Sequence, residues 1–486
     1  MNDDRKTPAL TGYASRRSAL AAMAGAAAVA SGLAVAPALE ARGKRRKRPD
    51  AALKPDRRPN VVLIIADDMR SRDWPALKQT RSLLRDGSWY PNFIINCPVC
   101  SPSRVTMMTG QYAHNHGVGR NAGDEDNAGY EAYQALGLDN ESIALALESS
   151  GYRTAMIGKF LNGWNFGTRQ PRGWSHWVGR SSTSYTDFDL EVDGSVNRFR
   201  GSKNYLTDVL RDYACDFIRE VPAEQPLYLY LSMGAPHAPF EPARRHRTLY
   251  GTAMVERDPT FNEADITDKP FKMARQPLLT DEQVVTLDGY QRLRWQTLAS
   301  LDEAIVRVVE TLDATGRLAN TVIMVVSDNG LLLGHHRVFA TKGVPYDQCI
   351  RVPMLASGPG FGGKENSKLV SNADIVPTIA DLAGVKLKAM DGFSLLGKVQ
   401  RDYVPLQIAT NSLTWGGFGL RSSQLMYFEQ IGGERELYDL RWDPTEAANL
   451  LPTSGPAPNP AGDLPLPADL SARLAIMRTC KGSRCR

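Results

Sequence analysis

The chain has 486 residues and a hydrophobic fraction of 42%, which is enough for one large domain or two unequal ones. Its net charge of +5 comes from the N-terminal end, because residues 1–58 contain 13 Lys and Arg against 5 Asp and Glu, which leaves −3 for residues 59–486. A mildly acidic body excludes an extended basic surface for nucleic acid, so we expect no nucleic-acid partner.

The first residues have the pattern of a bacterial export signal. A twin arginine, Arg16-Arg17, precedes an Ala-rich apolar stretch at residues 21–35, and small residues that suit cleavage follow it. We predict a twin-arginine signal peptide over residues 1–38, so that the Tat export machinery is a partner and the protein is periplasmic or secreted. The stretch is marginal in length for a membrane anchor and is rich in Ala rather than Leu, so we expect no stable membrane insertion. Residues 39–58 are predicted to be a solvated basic linker.

The middle of the chain alternates apolar runs with helical patterns. The runs are β-branched and unalternating, as expected of strands buried on both faces, and lie at residues 61–66, 154–157, 227–231, 322–326 and 352–356. Helical patterns between them include residues 292–315 and 374–383, and each ends near a glycine. The alternation predicts an α/β domain over residues 59–401, with a mostly parallel central sheet flanked by helices.

Polar side chains follow the predicted strands, at the sheet edge where ligands bind in such folds. Asp67-Asp68 come directly after the first strand, and Asp328-Asn329 come after the fourth. Adjacent carboxylates repel each other unless a cation lies between them, and oxygen-only ligands suit Ca²⁺ or Mg²⁺ better than zinc. Either aspartate alone could merely cap a loop. The two pairs together predict a divalent metal site, and we expect Ca²⁺ in preference to Mg²⁺.

Cys100 lies in a serine-rich turn, Cys100-Ser101-Pro102-Ser103-Arg104, that leads into an apolar helix. Pro102 fits an early helical position, where its missing N–H costs nothing, and the two serines can satisfy free backbone donors. Cys100 would then lie at a helix N-terminus, which suits the binding of an anion. The alternative is a buried structural cysteine that precedes a helix.

The sequence pattern changes to short strand-like segments at about residue 402. Two short strand-like segments at residues 425–430 and 435–440 are separated by a pair of glycines. They predict a hairpin within a small antiparallel subdomain over residues 402–451.

The last segment, residues 452–486, is predicted to be a Pro-rich tail with a short helix that begins near Asp469. Six cysteines are too few for a disulfide scaffold. Cys480 and Cys485 are close enough in sequence to pair in an oxidising compartment.

The block from Cys100 to Arg104, with Thr109-Gly110 after it, resembles the signature of the type I sulfatase family, in which the cysteine is oxidised enzymatically to formylglycine. The resemblance covers nearly all of residues 59–450. The other segments in family order are Asp67-Asp68, Gly158-Lys159, Ala235-Pro236-His237, Ser327 to Gly330, and Lys342. The chain also resembles the N-acetylglucosamine-6-sulfatase and heparan 6-O-endosulfatase group, at residues 114–118, 158–163 and 294–298.

The resemblance implies an alkaline phosphatase-like fold and the hydrolysis of sulfate esters on a carbohydrate such as 6-O-sulfated N-acetylglucosamine. It also implies a formylglycine-generating enzyme as a partner. One hydroxyl of the hydrated formylglycine would attack sulfur and displace the alcohol, and the other would then expel sulfate. The cation would be held by Asp67, Asp68, Asp328 and Asn329, and would also bind residue 100.

The same resemblance assigns roles to four basic side chains. Arg104 would hold the hydrated aldehyde in place. Lys159, His237 and Lys342 would contact sulfate oxygens and protonate the departing oxygen. For each lysine taken alone, an exposed solvated side chain is the alternative.

The motifs of the sequence indicate the base that releases sulfate, and the residues that contact substrate, less directly. Many sulfatases have a histidine two residues after the lysine that matches Lys159, where this chain has Leu161. We predict His116 as the base and His114 as the second choice, while either could be structural. Asn162, His336 and His114 are expected to contact substrate. Three tryptophans could present aromatic faces to a sugar ring or pack in the core: Trp164, Trp174 and Trp177.

Two other classes of function remain open from the sequence. The first is a phosphonate or phosphate monoester hydrolase, or an arylsulfatase, of the same superfamily. The second is a glycan-binding relative without activity, in which Cys100 stays unmodified. The full set of predicted catalytic residues favours the enzyme.

Overall fold

The computed structural model describes residues 58–122, 127–363, 365–398, 400–452 and 464–485. The predicted signal peptide at 1–38 lies outside the described residues, as do nearly all of the basic linker and residues 453–463 of the Pro-rich tail. Among the described residues, no helix is both long and apolar enough to cross a membrane.

The strands of the described residues form one nine-stranded sheet, one four-stranded sheet and two two-stranded sheets. In chain order they are β1 (Asn60–Ala66), β2 (Ser88–Trp89), β3 (Phe93–Ile94), β4 (Arg153–Lys159), β5 (His176–Arg180), β6 (Phe188–Val192), β7 (Ser195–Phe199), β8 (Leu227–Ser232), β9 (Thr321–Ser327), β10 (Leu332–Leu333), β11 (Ala340–Thr341), β12 (Met354–Ser357), β13 (Val370–Ser371), β14 (Val404–Ile408), β15 (Gly417–Arg421), β16 (Leu425–Gln430) and β17 (Arg435–Asp439).

The α-helices of the same residues lie between and after these strands. They are α1 (Lys78–Leu83), α2 (Cys100–Thr109), α3 (Ala113–His116), α4 (Gly129–Ala135), α5 (Ile143–Ser149), α6 (Leu206–Glu220), α7 (Phe271–Ala274), α8 (Asp281–Ala314), α9 (Asp347–Ile350), α10 (Ile375–Ala383) and α11 (Pro467–Met477).

The nine-stranded sheet has the order β2-β12-β9-β1-β8-β4-β5-β6-β7, and its centre from β9 to β5 is parallel. Every residue of β1 is buried. Val61 and Leu63 pack into the core on one face of the sheet, and Val62 and Ile64 pack into the core on the other. Burial on both faces explains why the apolar run is unbroken, and the fold predicted from it is confirmed.

The parallel register brings the carboxyl ends of the central strands to one edge. Ala66 at the end of β1 pairs with Ser327 at the end of β9, and Ile65 pairs with Ser232 at the end of β8. Lys159 at the end of β4 pairs in the same way with Arg180 at the end of β5. The residues that follow these positions therefore meet at a single edge of the sheet, where α/β folds bind ligands.

The four-stranded sheet, β14-β15-β16-β17, is antiparallel throughout. Met426 and Phe428 of β16 belong to a core that Leu470 and Leu474 of α11 also join. Cys480 and Cys485 form a disulfide directly after this helix. The predicted C-terminal antiparallel sheet is confirmed, and the boundaries of the subdomains stay predictions.

Two elements differ in detail from the predicted ones. Strand β12 pairs antiparallel to β9, so the apolar run at residues 352–356 does not extend the parallel part of the sheet. Helix α8 begins at Asp281 and not at residue 292, because Thr280 and Gln283 form a capping box that starts the helix earlier.

Candidate active site

Asp67 and Asp68 lie at the carboxyl end of β1, and the chain turns sharply there. Asp68 has a φ of 69°, in the left-handed region that residues other than glycine adopt rarely. The N–H of Asp68 donates to Asp328 Oδ1 at 3.1 Å, and that of the next residue, Met69, donates to Ser327 Oγ at 2.9 Å. These bonds to the end of β9 hold the turn in its strained conformation, which aims two carboxylates at the same point.

Asp328 and Asn329 complete an oxygen-rich cluster with this pair. Asn329 Nδ2 donates to Asp68 Oδ1 at 2.6 Å. Its amide oxygen, Oδ1, is buried and makes no hydrogen bond within the described residues. Three buried carboxylates beside an unsatisfied amide oxygen are a donor set that fits a hard divalent cation such as Ca²⁺ or Mg²⁺.

Cys100 is the first residue of α2 and lies against this cluster. Its Sγ is 3.6 Å from Asp67 Oδ1 and 2.9 Å from Lys342 Nζ. Burial raises the pKa of the Cys100 thiol to about 11, although Lys159 and Lys342 act in the opposite direction. The unmodified side chain is therefore a protonated thiol at neutral pH and a poor nucleophile.

Arg104 lies one helical turn after Cys100 and is fully buried. Its Nε and Nη2 lie 2.9 and 2.8 Å from Asp328 Oδ2, and Nη1 donates to the carbonyl of Lys159 at 3.0 Å. Burial alone would lower the pKa of Arg104, but Asp328 and Asp67 outweigh it and raise that pKa. The guanidinium thus ties the start of α2 to the ends of β4 and β9.

Three further predicted residues reach the cluster. Lys159 Nζ lies 2.8 Å from Asp67 Oδ2, and Lys342 Nζ contacts both Asp68 and Cys100. His237 Nε2 lies 3.7 Å from Asp68 Oδ2, and its Nδ1 is 2.7 Å from the carbonyl of Ala238. Because that carbonyl can only accept, Nδ1 carries the hydrogen and Nε2 is the nitrogen available for proton transfer.

Arg180 belongs to the site, although it was not predicted from the sequence. It ends β5, is 5% exposed, and places Nη2 at 3.6 Å from Asp67 Oδ2. Burial lowers the pKa of Arg180. A search for cationic residues at the ends of parallel strands could have found it, but β5 has too weak an apolar pattern to be recognised as a strand.

His116 and His114 are not brought to the cluster. Val118 N donates to His116 Nδ1 at 3.1 Å, so the hydrogen is on Nε2, which lies 3.0 Å from Thr106 Oγ1. Burial lowers the pKa of His116 to about 3. His114 Nε2 lies 3.0 Å from the carbonyl of Cys480. Because these ring nitrogens are already hydrogen-bonded inside the protein, the geometry argues against either histidine as the base.

His336 is likewise separate from the cluster, whereas Asn162 is beside it. His336 is fully buried, lies 2.8 Å from Glu263 Oε2 through Nδ1, and packs against the ring of Tyr346. Asn162 follows β4, and its Oδ1 accepts from Ser101 Oγ at 3.1 Å. Asn162 therefore contacts the residue next to Cys100, and a direct contact between substrate and His336 has no support from its position.

The three tryptophans proposed as sugar-binding faces are core residues. Trp164, Trp174 and Trp177 are 3%, 7% and 0% exposed. Trp177 packs against Trp164 and Phe160, each with ring centroids 5.3 Å apart. The sugar-binding interpretation of these rings is wrong, and the core alternative is the correct one.

The charges of the cluster define what it can bind. Three carboxylates (Asp67, Asp68, Asp328) face four cationic side chains: Arg104, Lys159, Arg180 and Lys342. Burial raises the pKa of Asp67, but Lys159, His237 and Arg104 outweigh it and hold that pKa well below its ordinary value. The cluster therefore has a positive excess before any divalent cation is added, and it suits an anionic group such as a sulfate or phosphate ester.

Fold and site together define a hydrolase of anionic esters built around a cysteine at the start of α2 and an acidic cluster. The sulfatase family model matches residues 59–385, so the chain belongs to the sulfatase family and is a sulfuric ester hydrolase. N-acetylglucosamine-6-sulfatase of Capra hircus is 33% identical over 399 residues, which are 78% of this chain and 68% of that protein. Arylsulfatase of Volvox carteri is 31% identical over 503 residues, 88% of this chain and 76% of that protein.

A solved structure shows the same fold. BT4656, determined in complex with its substrate D-glucosamine-2-N,6-O-disulfate, superposes with a TM-score of 0.68 at 22% identity. The match covers 81% of this chain and 93% of that one. The fold is therefore the alkaline phosphatase-like fold of sulfatases, as the resemblance implied.

Proposed function

We propose that this sulfatase removes the 6-O-sulfate of N-acetylglucosamine or of a similar sulfated glucosamine, with formylglycine made from Cys100 and one bound Ca²⁺. The observation that carries the proposal is the buried cluster around Cys100, in a chain 33% identical to an N-acetylglucosamine-6-sulfatase. The neighbouring structure BT4656 binds a sulfated glucosamine and has the same fold, which supports the same choice of sugar.

Residue 100 needs conversion because its unmodified form is unsuited to the reaction. A buried thiol with a pKa of about 11 offers little thiolate at neutral pH. Formylglycine, when present, supplies a hydrated aldehyde with one hydroxyl to attack sulfur and a second to expel sulfate afterwards. Arg104 and Lys342 would orient this group. Arg104 lies one turn after residue 100 on α2, and Lys342 Nζ lies 2.9 Å from the Cys100 sulfur.

The cation would be held by Asp67, Asp68, Asp328 and Asn329. All four side chains are buried, and Asn329 Oδ1 makes no hydrogen bond within the described residues. A bound divalent ion supplies Lewis-acid stabilisation of the charge on the reacting oxygens. Ca²⁺ accepts a crowded set of protein oxygens, whereas Mg²⁺ usually keeps several waters, so the buried cluster favours Ca²⁺.

Binding of the sulfate group and protonation of the leaving oxygen fall to three side chains. Lys159 and Lys342 are 13% and 17% exposed at their side chains, so they line the boundary between cluster and solvent. Both can donate to sulfate oxygens. His237 is 25% exposed at its side chain, and its Nε2 is free to carry a proton to the departing alcohol.

The sugar would occupy a cavity of about 210 Å³ that adjoins the cluster. Lys342 lies on its wall next to the site, and Asn121, Gln407 and Asn411 line it together with Arg120 and apolar residues such as Val99 and Ile408. Gln407 comes from β14, so the C-terminal sheet contributes to the wall. Neutral amides beside a cationic residue suit the hydroxyls and the N-acetyl group of a sugar.

Export and modification belong to the same proposal. The twin arginine and the apolar stretch that follows it support passage through the Tat machinery to the periplasm or the medium. A formylglycine-generating enzyme would have to act on Cys100 before folding is complete, because Cys100 is 1% exposed in the folded chain.

The test compares three substrates on one preparation made together with a formylglycine-generating enzyme. We expect the kcat/KM for N-acetylglucosamine-6-sulfate to exceed that for an aryl sulfate, and that for an aryl phosphate to be lowest. Cys100→Ala should abolish all turnover while leaving the circular dichroism spectrum unchanged. Aryl phosphate or phosphonate turned over faster than any sulfate ester would contradict the proposal.

Arylsulfatase action is the second candidate, since the Volvox arylsulfatase matches 88% of this chain. It predicts aryl sulfate as the faster substrate. The same three-substrate comparison separates the two, because a sugar-binding cavity lowers KM for the sugar sulfate only.

A further inference from the structure

A second group of metal-type ligands lies apart from the active-site cluster. Glu256 and Asp258 precede α7, and His335 follows β10. One ligand atom from each of the three lies within 4.8 Å of the others. The backbone holds the two segments together, because Asn262 N donates to the carbonyl of Gly334 at 2.8 Å.

His335 is a buried polar side chain without a hydrogen bond. It is 0% exposed, and neither ring nitrogen has a partner at ordinary hydrogen-bond distance among the described residues, although the lowering effect of burial on the pKa of His335 is outweighed by Asp258 and Glu256, which raise it. Its Nε2 lies 3.5 Å from Glu256 Oε1 and 3.6 Å from Asp258 Oδ2. Both distances exceed the usual N–H···O range of about 2.7 to 3.2 Å, and a buried imidazole rarely stays unpaired.

Other histidine–carboxylate pairs of the chain provide the comparison. Where the two groups share a hydrogen, nitrogen and oxygen are 2.8 Å apart in His176–Asp193, His246–Glu303 and His336–Glu263. The spacing around His335 differs from that of these ordinary pairs.

The two distances from His335 Nε2 also fit ligand atoms of one bound ion. Zinc binds nitrogen and carboxylate oxygen at about 2.0 to 2.2 Å, which puts tetrahedral ligand atoms about 3.4 Å apart. The observed 3.5 and 3.6 Å are close to this separation. One imidazole with two carboxylates is a donor set that suits zinc and similar ions better than Ca²⁺ or Mg²⁺.

Glu256 and Asp258 lie beside a buried network of arginines and carboxylates. Glu256 Oε1 accepts from Arg70 Nη1 at 3.0 Å, and Arg70 and Arg294 both bind the buried Asp73. The two arginines and the three carboxylates, with Asp258 included, sum to −1. The exposed Arg72 and the Arg351–Asp347 pair line the same cavity and lie outside this sum. Either a proton on His335 or a bound cation can supply the balance, and the long Nε2–oxygen distances leave room for a cation.

An ion can reach this group from solvent. The side chains of Glu256 and Asp258 are 22% and 15% exposed. Both line a small cavity of about 30 Å³ together with Arg70, Asp347 and Arg351. A cavity of that size has room for a water molecule as a further ligand.

We propose that Glu256, Asp258 and His335 bind one divalent transition-metal ion of the Zn²⁺ type, with water from the adjoining cavity as the fourth ligand. The ion joins the segment before α7 to the turn after β10 and has a structural role. It is separate from the oxygen-only site at Asp67, and it does not depend on the proposed substrate.

The test measures the metal content of the full chain after equilibration with Zn²⁺ and excess Ca²⁺, followed by removal of free ions. We expect one equivalent of zinc in the wild type. Asp258→Asn and His335→Gln should each lose the zinc and keep the calcium. His246→Gln is the matched control, because it removes a buried histidine from an ordinary 2.8 Å pair and should keep both ions.

Thermal unfolding gives a second readout. Added Zn²⁺ should raise the Tm of the metal-stripped wild type and of His246→Gln, but not that of Asp258→Asn, since only an intact site gains stability by binding. If the variants fold poorly, zinc content and a tetrahedral Co²⁺ absorption spectrum of the wild type still decide. Wild-type protein without zinc, or zinc retained in both site variants, would overturn the proposal in favour of a protonated His335.

Discussion

The ion pair between Arg104 and Asp328 gives the sharpest test of how the site is built. Both side chains are 0% exposed, and Arg104 Nη2 lies 2.8 Å from Asp328 Oδ2. Two unit charges at that distance attract by about 6 kcal/mol at an effective dielectric constant of about 20. Desolvation offsets much of this, and removal of one partner from a buried pair costs about 3 to 5 kcal/mol.

Asp328→Asn keeps the shape of the side chain and removes its charge. We expect the free energy of unfolding to fall by about 3 kcal/mol, the lower end of that range. The loss is limited because Arg104 keeps a second carboxylate, Asp67 Oδ2, at 3.6 Å. Urea denaturation of the full chain in a chelator measures this without the contribution of bound metal. In the same variant, calcium content and turnover should both be lost.

The control is a double-mutant cycle with Arg104→Met. If the stability loss comes from an unpaired buried charge, the double variant should be more stable than the sum of the single effects predicts, by at least about 1.5 kcal/mol. Strict additivity, or an Asp328→Asn variant within about 0.5 kcal/mol of the wild type in chelator, would refute the ion-pair argument.

Three other substitutions test the roles inferred for single residues in and near the site. Arg180→Met should lower kcat/KM about 100-fold with an unchanged circular dichroism spectrum, because it removes a charge beside Asp67; a loss below about threefold would contradict this. His116 has a folded pKa of about 3, below its unfolded value, so its contribution to stability is present above about pH 6.5 and is lost as the pH falls. His116→Gln should therefore flatten the acid side of a plot of unfolding free energy against pH by up to about 1.4 kcal/mol per pH unit, and an unchanged slope would argue against the assignment. Asn162→Ala should raise KM for the sugar sulfate more than for an aryl sulfate, whereas equal losses would mean that Asn162 acts only through Ser101.

Much of the central fold could be predicted because strands buried on both faces leave an unbroken apolar run. The run at residues 61–66 is such a case, and its end places Asp67 and Asp68 at the ligand-binding edge. Strand β12 has a similar apolar pattern, but nothing in a strand of four residues indicates whether it runs parallel or antiparallel. The local sequence pattern therefore predicts which strands are buried, whereas the direction of a strand depends on its pairing with distant segments.

The parts of the site that could not be predicted depend on contacts between distant segments. His116 and His336 both lie in segments that resemble the family, yet one packs on Thr106 and the other on Glu263, away from the cluster. Arg180 reaches the cluster only through the register of β5 on β4. His335 meets Glu256 across about 80 residues of chain, a separation at which sequence pattern carries no information.

The mass of the peptide that contains residue 100, taken from enzyme of known specific activity, tests the central claim most directly. Preparations made with increasing amounts of a formylglycine-generating enzyme should show the thiol replaced by the aldehyde. The aldehyde fraction should rise in proportion to the rate of sulfate release from N-acetylglucosamine-6-sulfate. Full activity on that substrate from protein whose Cys100 is entirely a thiol would contradict the account.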